Sequence, residues 1–204
     1  AASLPVTSLT PYHALKETAL RINEYLLVFG ASGSTGMIAV QLAKKMGAKV
    51  IAVSKHNWIK ESEFGGADYL ISDYNRVADQ VKYITQGKMA DVVLNSLGVD
   101  TWESSYASVG VNGRWVTFGT LSGPDIKLNL QSLYTKQMKL IGSTGGNRKE
   151  LQEVIDMAAK KEIRVKVWKK FKLDNVKEAI EALSAKERDG RILLEILYNQ
   201  KHSA

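Results

Sequence analysis

A short run rich in glycine and hydroxyl residues is the part of this sequence best suited to bind a ligand. The run Gly30-Ala31-Ser32-Gly33-Ser34-Thr35-Gly36 follows a continuous apolar stretch and precedes a segment with helical periodicity. Because Gly33 lacks a side chain, the backbone can approach a pyrophosphate closely, and Gly36 lets the helix and the strand pack tightly. Unpaired N–H groups at the helix start face the anion. The match is to an A-x-G-x-x-G form of the usual pattern. The strand–turn–helix context favours a dinucleotide site, and the alternative is a purely structural glycine turn.

The residues at the end of the next apolar strand indicate which dinucleotide the site prefers. Sites that prefer NAD carry an Asp or Glu there, which accepts hydrogen bonds from the ribose hydroxyls and repels the extra phosphate of NADP. This chain instead has Ser54 and Lys55, followed by neutral donors. A cation and a hydroxyl suit a 2′-phosphate. The pattern predicts a preference for NADP(H), and the alternative is a solvent-exposed polar loop with no nucleotide role.

Apolar runs and helical patterns alternate along the first two thirds of the chain. Strands are predicted at 25–29, 49–53, 69–71, 91–95, 115–118 and 139–142. Helices are predicted at about 35–46, 58–64, 76–85 and 100–108. Because each of these crossovers is long enough for a helix, the pattern predicts an α/β fold built on a Rossmann-type, doubly wound parallel sheet of six strands.

The pattern changes after Gly146. Asn147 with Glu150 three residues later predicts an N-cap pair for a helix through residue 161. A lysine-rich strand over 165–171, a helix over 174–185 and a closing strand over 191–197 complete a C-terminal helix-strand return segment. We therefore predict a dinucleotide-binding domain over 1–146, with a lead-in helix within 1–20, and a return segment over 147–204 that packs on it.

Composition excludes several classes of protein. The chain has 204 residues, 45% of them hydrophobic, which indicates a globular domain with a sizeable core. With no cysteine and only three scattered histidines, it has no disulfide framework or thiolate metal site, and we expect no metal. No apolar run reaches the length of a membrane span, and residues 1–5 lack the features of a signal peptide. These features predict a soluble, cytoplasmic protein.

The net charge of +7 favours anionic partners without saying which. Much of the basic excess lies between residues 136 and 172. Because the lysines alternate with apolar residues in this stretch, we interpret it as a solvated face, with a cofactor or subunit surface as one alternative. Nucleic-acid binding is the less favoured alternative.

Several further motifs support a family resemblance. They are Leu9-Thr10-Pro11-Tyr12-His13-Ala14-Leu15, Gly66-Ala67-Asp68, Asp91-Val92-Val93-Leu94-Asn95-Ser96-Leu97-Gly98, Gly113-Arg114-Trp115-Val116 and Gly190-Arg191. Together with the glycine-rich turn, they resemble the cofactor-binding domain of the medium-chain dehydrogenase/reductase superfamily over residues 1–197. The match is to its zinc-independent branch of quinone oxidoreductases and enoyl reductases. This resemblance implies an NADP-dependent oxidoreductase that transfers hydride between the nicotinamide and a quinone or an α,β-unsaturated carbonyl.

The resemblance also implies roles for individual residues. Six surround the pyrophosphate: Ala31, Ser32, Gly33, Ser34, Thr35 and Gly36. Four lie at the adenosine end, the first three around the 2′-phosphate and the last at the ribose: Ser54, Lys55, Tyr74 and Asn95. Three lie on the nicotinamide side: Phe118, Gly119 and Thr120. Arg191 corresponds to an arginine that reaches back to the pyrophosphate. Purely structural positions are the alternative for Asn95, Thr120 and Arg191, and Tyr74 sits one residue later than its counterpart in quinone reductases.

The zinc-dependent members of the superfamily place a cysteine ligand where this chain has Val6, which cannot bind a metal. The amino-terminal catalytic domain of the family has no counterpart here, so the chain resembles a fragment or a natural truncation, and no catalytic acid or base is assignable. The alternatives are the cofactor domain of a zinc-type alcohol dehydrogenase and a dinucleotide-gated binding or regulatory module. As partners we expect a small-molecule substrate and a second copy of the chain, paired through the edge strand 139–143.

Overall fold

The computed structural model describes residues 2–56, 66–185 and 187–196. The helix predicted over 58–64 and the last residue of the strand predicted over 191–197 lie outside these ranges. The helices are α1 Leu4–Glu17, α2 Ser34–Lys45, α3 Val77–Ile84, α4 Trp102–Ala107, α5 Leu130–Thr135, α6 Arg148–Ala159 and α7 Val176–Ala182. The strands are β1 Tyr25–Phe29, β2 Lys49–Val53, β3 Tyr69–Ile71, β4 Ala90–Asn95, β5 Val109–Thr117, β6 Lys139–Gly142, β7 Val167–Lys172 and β8 Arg191–Glu195.

Six strands form one parallel sheet in the order β3-β2-β1-β4-β5-β6. The predicted doubly wound sheet of six strands is confirmed. The strand order reverses between β1 and β4, which pair with each other at the centre. Ligands of such sheets bind in the crevice at the carboxyl ends of the strands beside this switch point. The glycine-rich turn directly follows β1 and therefore lies at this crevice.

The core is divided into two layers by the central strand. Along β1, Leu26 and Val28 face a cluster shared with α1, α2 and α6, whereas Leu27 and Phe29 face a cluster shared with α3 and α4. Because successive side chains of a strand point to opposite faces, a strand covered by helices on both sides must be apolar throughout. This explains the unbroken apolar run that predicted β1.

β5 is longer than the sequence pattern predicted. It begins at Val109 rather than at residue 115, and its pairing with β4 shifts register between Ala90 and Val92. Within the irregularity, Asn112 adopts a left-handed φ of 59°. Asn and Gly are typical of turns, so a local sequence pattern does not show that the strand continues through the bulge at Asn112-Gly113.

The return segment is built in two parts. α6 packs on α1: its Val154 is fully buried in the core, and the predicted capping box of Asn147 and Glu150 is present. Glu150 is buried and its carboxylate also contacts the imidazole of His13 at 3.0 Å and the amine of Lys16 at 3.3 Å. β7 and β8 form a separate parallel pair. The division of the chain at residue 146 stays a prediction.

Several lysines in and next to the lysine-rich strand β7 have an acidic or aromatic partner close by. The amine of Lys166, just before β7, lies 2.7 Å from the carboxylate of Asp189, and that of Lys170 lies 3.2 Å from Glu195. The amine of Lys169 stands 4.1 Å from the ring centroid of Trp168. These local partners support the interpretation of this stretch as a solvated face. None of the helices in the described ranges is long and apolar enough to cross a membrane.

Candidate dinucleotide-binding site

The glycine-rich turn connects β1 to α2 and leaves the start of the helix open. Gly30 has a left-handed φ of 65°, and its carbonyl accepts the N–H of Gly33 at 2.9 Å. Gly33 then precedes the helix in an extended conformation, with no side chain capping it. The first N–H groups of a helix have no partner within it, so those of residues 34–36 are available to an anion. The turn has the arrangement that a pyrophosphate requires.

Gly36 determines how closely α2 approaches the turn. A Cβ built at Gly36 would overlap the carbonyl oxygen of Gly30 and lie 2.8 Å from the Cα of Ala31. These are backbone atoms and cannot rotate away as a side chain would. Ala31 is itself fully buried, and its N–H donates to the carbonyl of Val53 at 3.2 Å. The helix start and the turn thus form one compact unit only with glycine at position 36.

Loops from both halves of the sheet meet at the carboxyl edge. A Cβ at Gly30 would lie 3.1 Å from the side chain of Leu97, which follows β4. In turn, the carbonyl of Leu97 accepts the N–H of Ser122, in the loop after β5, at 2.7 Å. The loops after β1, β4 and β5 are therefore neighbours. The predicted pyrophosphate and nicotinamide residues lie along one edge, as the doubly wound topology requires.

Asn95 occupies an internal position at the end of β4. It is fully buried, and its amide nitrogen donates to the hydroxyls of Thr101 at 3.0 Å and Ser105 at 2.9 Å. Its carbonyl oxygen accepts the N–H of Leu97 at 2.9 Å. Asn95 therefore ties β4 to α4 and shapes the loop beside the turn. This geometry corresponds to the alternative of a strand-ending residue, and contact with the ribose stays a prediction for the loop that Asn95 shapes.

The three residues predicted on the nicotinamide side form the exit from β5. Phe118 packs partly against the core, and the carbonyl of Gly119 accepts the hydroxyl of Thr117 at 3.0 Å. Thr120 is exposed, and its carbonyl accepts the N–H of Gly123 at 3.1 Å. Thr120 thus takes part in a turn, the alternative considered for it, while its side chain stays accessible.

Sequence reasoning missed Ser143, which follows β6 at the same edge. Its backbone N–H donates to the carbonyl of Thr117 at 2.9 Å, which holds it beside the end of β5. Its hydroxyl is buried and has no hydrogen-bond partner among the described residues. A buried polar atom is normally satisfied, so this hydroxyl is a candidate ligand contact. Its position directly after the sixth strand was the signal that could have identified it.

Ser54 shapes the predicted adenosine end rather than lining it. The residue is fully buried, its N–H donates to the carbonyl of Ile71 at 3.0 Å, and its hydroxyl oxygen accepts the N–H of His56 at 3.0 Å. The side chain thereby turns the chain so that Lys55 is exposed. Of Ser54 and Lys55, Lys55 is therefore the residue whose side chain is accessible to a 2′-phosphate.

Lys55 and Tyr74 line the same pocket. The cavity has a volume of about 470 Å³ and is lined by Lys55, Ser72, Asp73, Tyr74 and Asn75. The hydroxyl of Tyr74 donates to the carbonyl of Val53 at 3.3 Å, and its ring stands edge-on to that of Phe29 with centroids 6.5 Å apart. Burial raises the pKa of Tyr74 above its usual value, so the phenol stays neutral at physiological pH. The one-residue offset in sequence therefore does not keep Tyr74 away from Lys55.

Arg191 begins β8, where its N–H donates to the carbonyl of Lys166 at 2.8 Å. In residues 2–56, 66–185 and 187–196, no hydrogen bond or ion pair joins Arg191 to the glycine-rich turn. Its predicted contact with the pyrophosphate stays a prediction.

The residues fit a dinucleotide. The turn has an uncapped helix start and a position at which a Cβ would overlap the backbone, and a cation lies at the end of β2. Fold and site together define a dinucleotide-binding α/β domain. Residues 34–160 match the family described as zinc-binding dehydrogenase, and the chain belongs to this family, as a cofactor-binding domain of the medium-chain dehydrogenase/reductase superfamily.

Similar proteins include oxidoreductases of several kinds. An NAD-dependent alcohol dehydrogenase of Sulfurisphaera tokodaii is 31% identical and a quinone oxidoreductase of Pseudomonas aeruginosa is 31% identical, each over 95% of this chain. An acryloyl-coenzyme A reductase of Metallosphaera sedula is 29% identical over 95% of it. This chain covers 57%, 63% and 57% of these three proteins, respectively. It thus spans somewhat more than half of their length.

Solved structures show the same fold. The cobalt- and zinc-bound alcohol dehydrogenase of Pyrobaculum aerophilum superimposes with a TM-score of 0.84 at 31% identity. The match covers 96% of this chain and 57% of that protein.

Proposed function

We propose that this chain is the NADP(H)-binding domain of a zinc-independent oxidoreductase that transfers hydride between the nicotinamide and a quinone or an α,β-unsaturated carbonyl. The observation that carries the choice of nucleotide is the end of β2, where the exposed Lys55 stands in a pocket with Tyr74 and no acid follows the strand. The similarity to a quinone oxidoreductase and an acryloyl-coenzyme A reductase supports the substrate class. We also propose a cytoplasmic location and no nucleic-acid partner.

The part of this chain in the reaction is to bind and orient. The bound nicotinamide supplies the hydride chemistry. The N–H groups at the start of α2 hold the pyrophosphate, and Lys55 attracts the 2′-phosphate. Thr120 and Ser143 hold polar groups at the nicotinamide end, which orients the ring toward the substrate. We assign no catalytic acid or base to this chain.

A zinc-type alcohol dehydrogenase is the second candidate, favoured by the NAD-dependent alcohol dehydrogenase and the zinc-bound structure among the similar proteins. The position expected for a cysteine ligand is held by Val6, whose side chain is largely exposed. The described residues contain no group of three or more His, Cys, Asp or Glu side chains able to hold a metal. The valine at this position supports zinc independence, and stoichiometric zinc in the purified protein would contradict it.

Calorimetric titration of the nucleotides tests the proposed function. We expect NADPH to bind more tightly than NADH by about ten- to a hundredfold, because a charge-assisted contact contributes about 1.5–3 kcal/mol. Lys55→Gln should weaken NADPH binding by about tenfold and leave NADH binding unchanged. Lys82→Gln removes the same charge from an exposed position on α3 and should change neither affinity. Equal or reversed affinities of the unaltered chain for the two nucleotides would contradict the proposal.

We further propose that two copies pair through residues 139–143. β6 is an edge of the six-stranded sheet, so its outer backbone groups lack a strand partner within that sheet. Leu140 is 37% exposed on it, and Leu130 and Tyr134 of α5 are each 67% exposed. We expect light scattering to give a dimer mass and Leu140→Asp to lower it toward the monomer. Tyr83→Asp, at an exposed aromatic of α3, should leave the dimer intact, and a monomeric unaltered chain would contradict pairing.

A further inference from the structure

The pocket beside Lys55 also contains a carboxylate. β2 and β3 are parallel neighbours in which Val53 pairs with Ile71, so the residues that follow both strands leave the sheet side by side. Asp73 consequently lines the same cavity as Lys55 and Tyr74. The acid that is missing from the end of β2 is thus replaced by one from the end of the neighbouring strand.

The side chain of Asp73 is oriented by a local hydrogen bond. One carboxylate oxygen accepts the backbone N–H of Asn75 at 3.0 Å, which caps the single 3₁₀ turn Tyr74–Arg76. Within the described ranges, the other oxygen has no hydrogen-bond partner, and Lys55 forms no ion pair with Asp73. Both residues are exposed. A cation and an anion therefore share one pocket, and in the part of the chain that the structure describes one acceptor oxygen of Asp73 has no partner.

We propose that Asp73 is a specificity-determining residue of this site, and this inference rests on the proposed function. Its free oxygen accepts a hydrogen bond from a ribose hydroxyl of NAD(H), whereas its charge repels the 2′-phosphate of NADP(H) that Lys55 attracts. Discrimination between two ligands is a difference of affinities, and a repulsive group changes it as much as an attractive one does. Asp73 thereby limits the preference for NADP(H) and keeps NAD(H) usable by the same site.

The test compares Asp73→Asn with the unaltered chain by calorimetric titration with NADPH and with NADH. Asn keeps an oxygen that accepts the N–H of Asn75, so the cap is preserved while the charge is lost. We expect Asp73→Asn to bind NADPH about tenfold more tightly than the unaltered chain does, and NADH no more tightly. The gain in NADPH affinity should become smaller at high salt, because salt screens the repulsion between Asp73 and the 2′-phosphate. Asp79→Asn removes an exposed acid from α3, outside the pocket, and should leave the ratio of the two affinities unchanged.

Thermal unfolding of each variant separates folding from binding. Asp73→Ser keeps a hydroxyl that can cap the turn. Like Asp73→Asn, it should increase the ratio of NADPH affinity to NADH affinity. If the unaltered chain binds both nucleotides and neither Asp73 variant changes the ratio, this inference is overturned while the proposed function stands. If the unaltered chain binds neither nucleotide, both the proposed function and the proposed role of Asp73 are overturned.

Discussion

Replacing Gly36 by alanine is expected to lower the affinity for NADPH by about ten- to a hundredfold, since a charge-assisted hydrogen bond from the start of α2 to the pyrophosphate contributes about 1.5–3 kcal/mol. The added Cβ would overlap the carbonyl oxygen of Gly30 and crowd Ala31, so the start of α2 must move away from the turn. Overpacking of this kind also costs about 1–3 kcal/mol of stability. Calorimetric titration measures the first effect and thermal unfolding the second.

Gly142→Ala is the matched control for this substitution. It adds the same methyl group at the end of β6, where a Cβ would meet no atom within 4 Å. Because Gly142 lies within the edge proposed for pairing, this variant is a control for NADPH affinity only, which we expect to equal that of the unaltered chain. If Gly36→Ala behaved in the same way, the close approach of α2 to the turn would not be needed for binding.

The second large effect is expected at Arg114, at the opposite end of the sheet from the candidate site. Its guanidinium donates to both carboxylate oxygens of Glu24, at 3.0 and 2.6 Å, and to the backbone carbonyls of Thr18 at 3.0 Å and Asp91 at 3.3 Å. The side chains of Arg114 and Glu24 are only 13% and 17% exposed. Arg114→Met leaves the largely buried carboxylate of Glu24 without its ion-pair partner, although the backbone N–H of Arg21 still donates to it. We therefore expect a loss of about 3 kcal/mol in the free energy of unfolding, the lower end of the range for a broken buried pair. Denaturant titration measures this loss, and Arg76→Met, at an exposed arginine, serves as control.

The same ion pair predicts how stability depends on pH. Burial alone would raise the pKa of Glu24, but hydrogen bonds from Arg114 and from the backbone N–H of Arg21 hold it below the usual 4.5. A carboxyl whose folded-state pKa is lowered stabilises the fold above its unfolded pKa, and this contribution is lost as the pH falls through the folded pKa. We therefore expect the unaltered chain to lose more stability than Arg114→Met between neutral pH and pH values below 4.5. Parallel acid-unfolding curves of the two proteins would contradict the role of this pair.

The amino-acid sequence by itself determined the order of the elements and the position of the turn. The unbroken apolar run Tyr25–Phe29 identified β1 to the residue, because a strand covered on both faces has no polar positions. Gly36 marked the turn because a Cβ there would overlap the backbone of residues 30 and 31, and Gly33 marked it because a Cβ would lie only 3.2 Å from the carbonyl oxygen of Gly30. The capping box of Asn147 and Glu150 could also be predicted, because its hydrogen bonds join residues only three positions apart.

Only the tertiary structure decided which side chains face a ligand. Ser54 is turned inward by its own hydrogen bond, and the side chain of Asn95 bonds to α4. The hydroxyl of Ser143 is buried, without a partner among the described residues, only because β6 lies beside β5. Asp73 joins Lys55 because β2 and β3 are parallel neighbours, a pairing between residues distant along the chain. Local sequence patterns report hydrogen bonds and steric limits within a few residues. The register of strands and the burial of side chains depend on contacts that no local pattern contains.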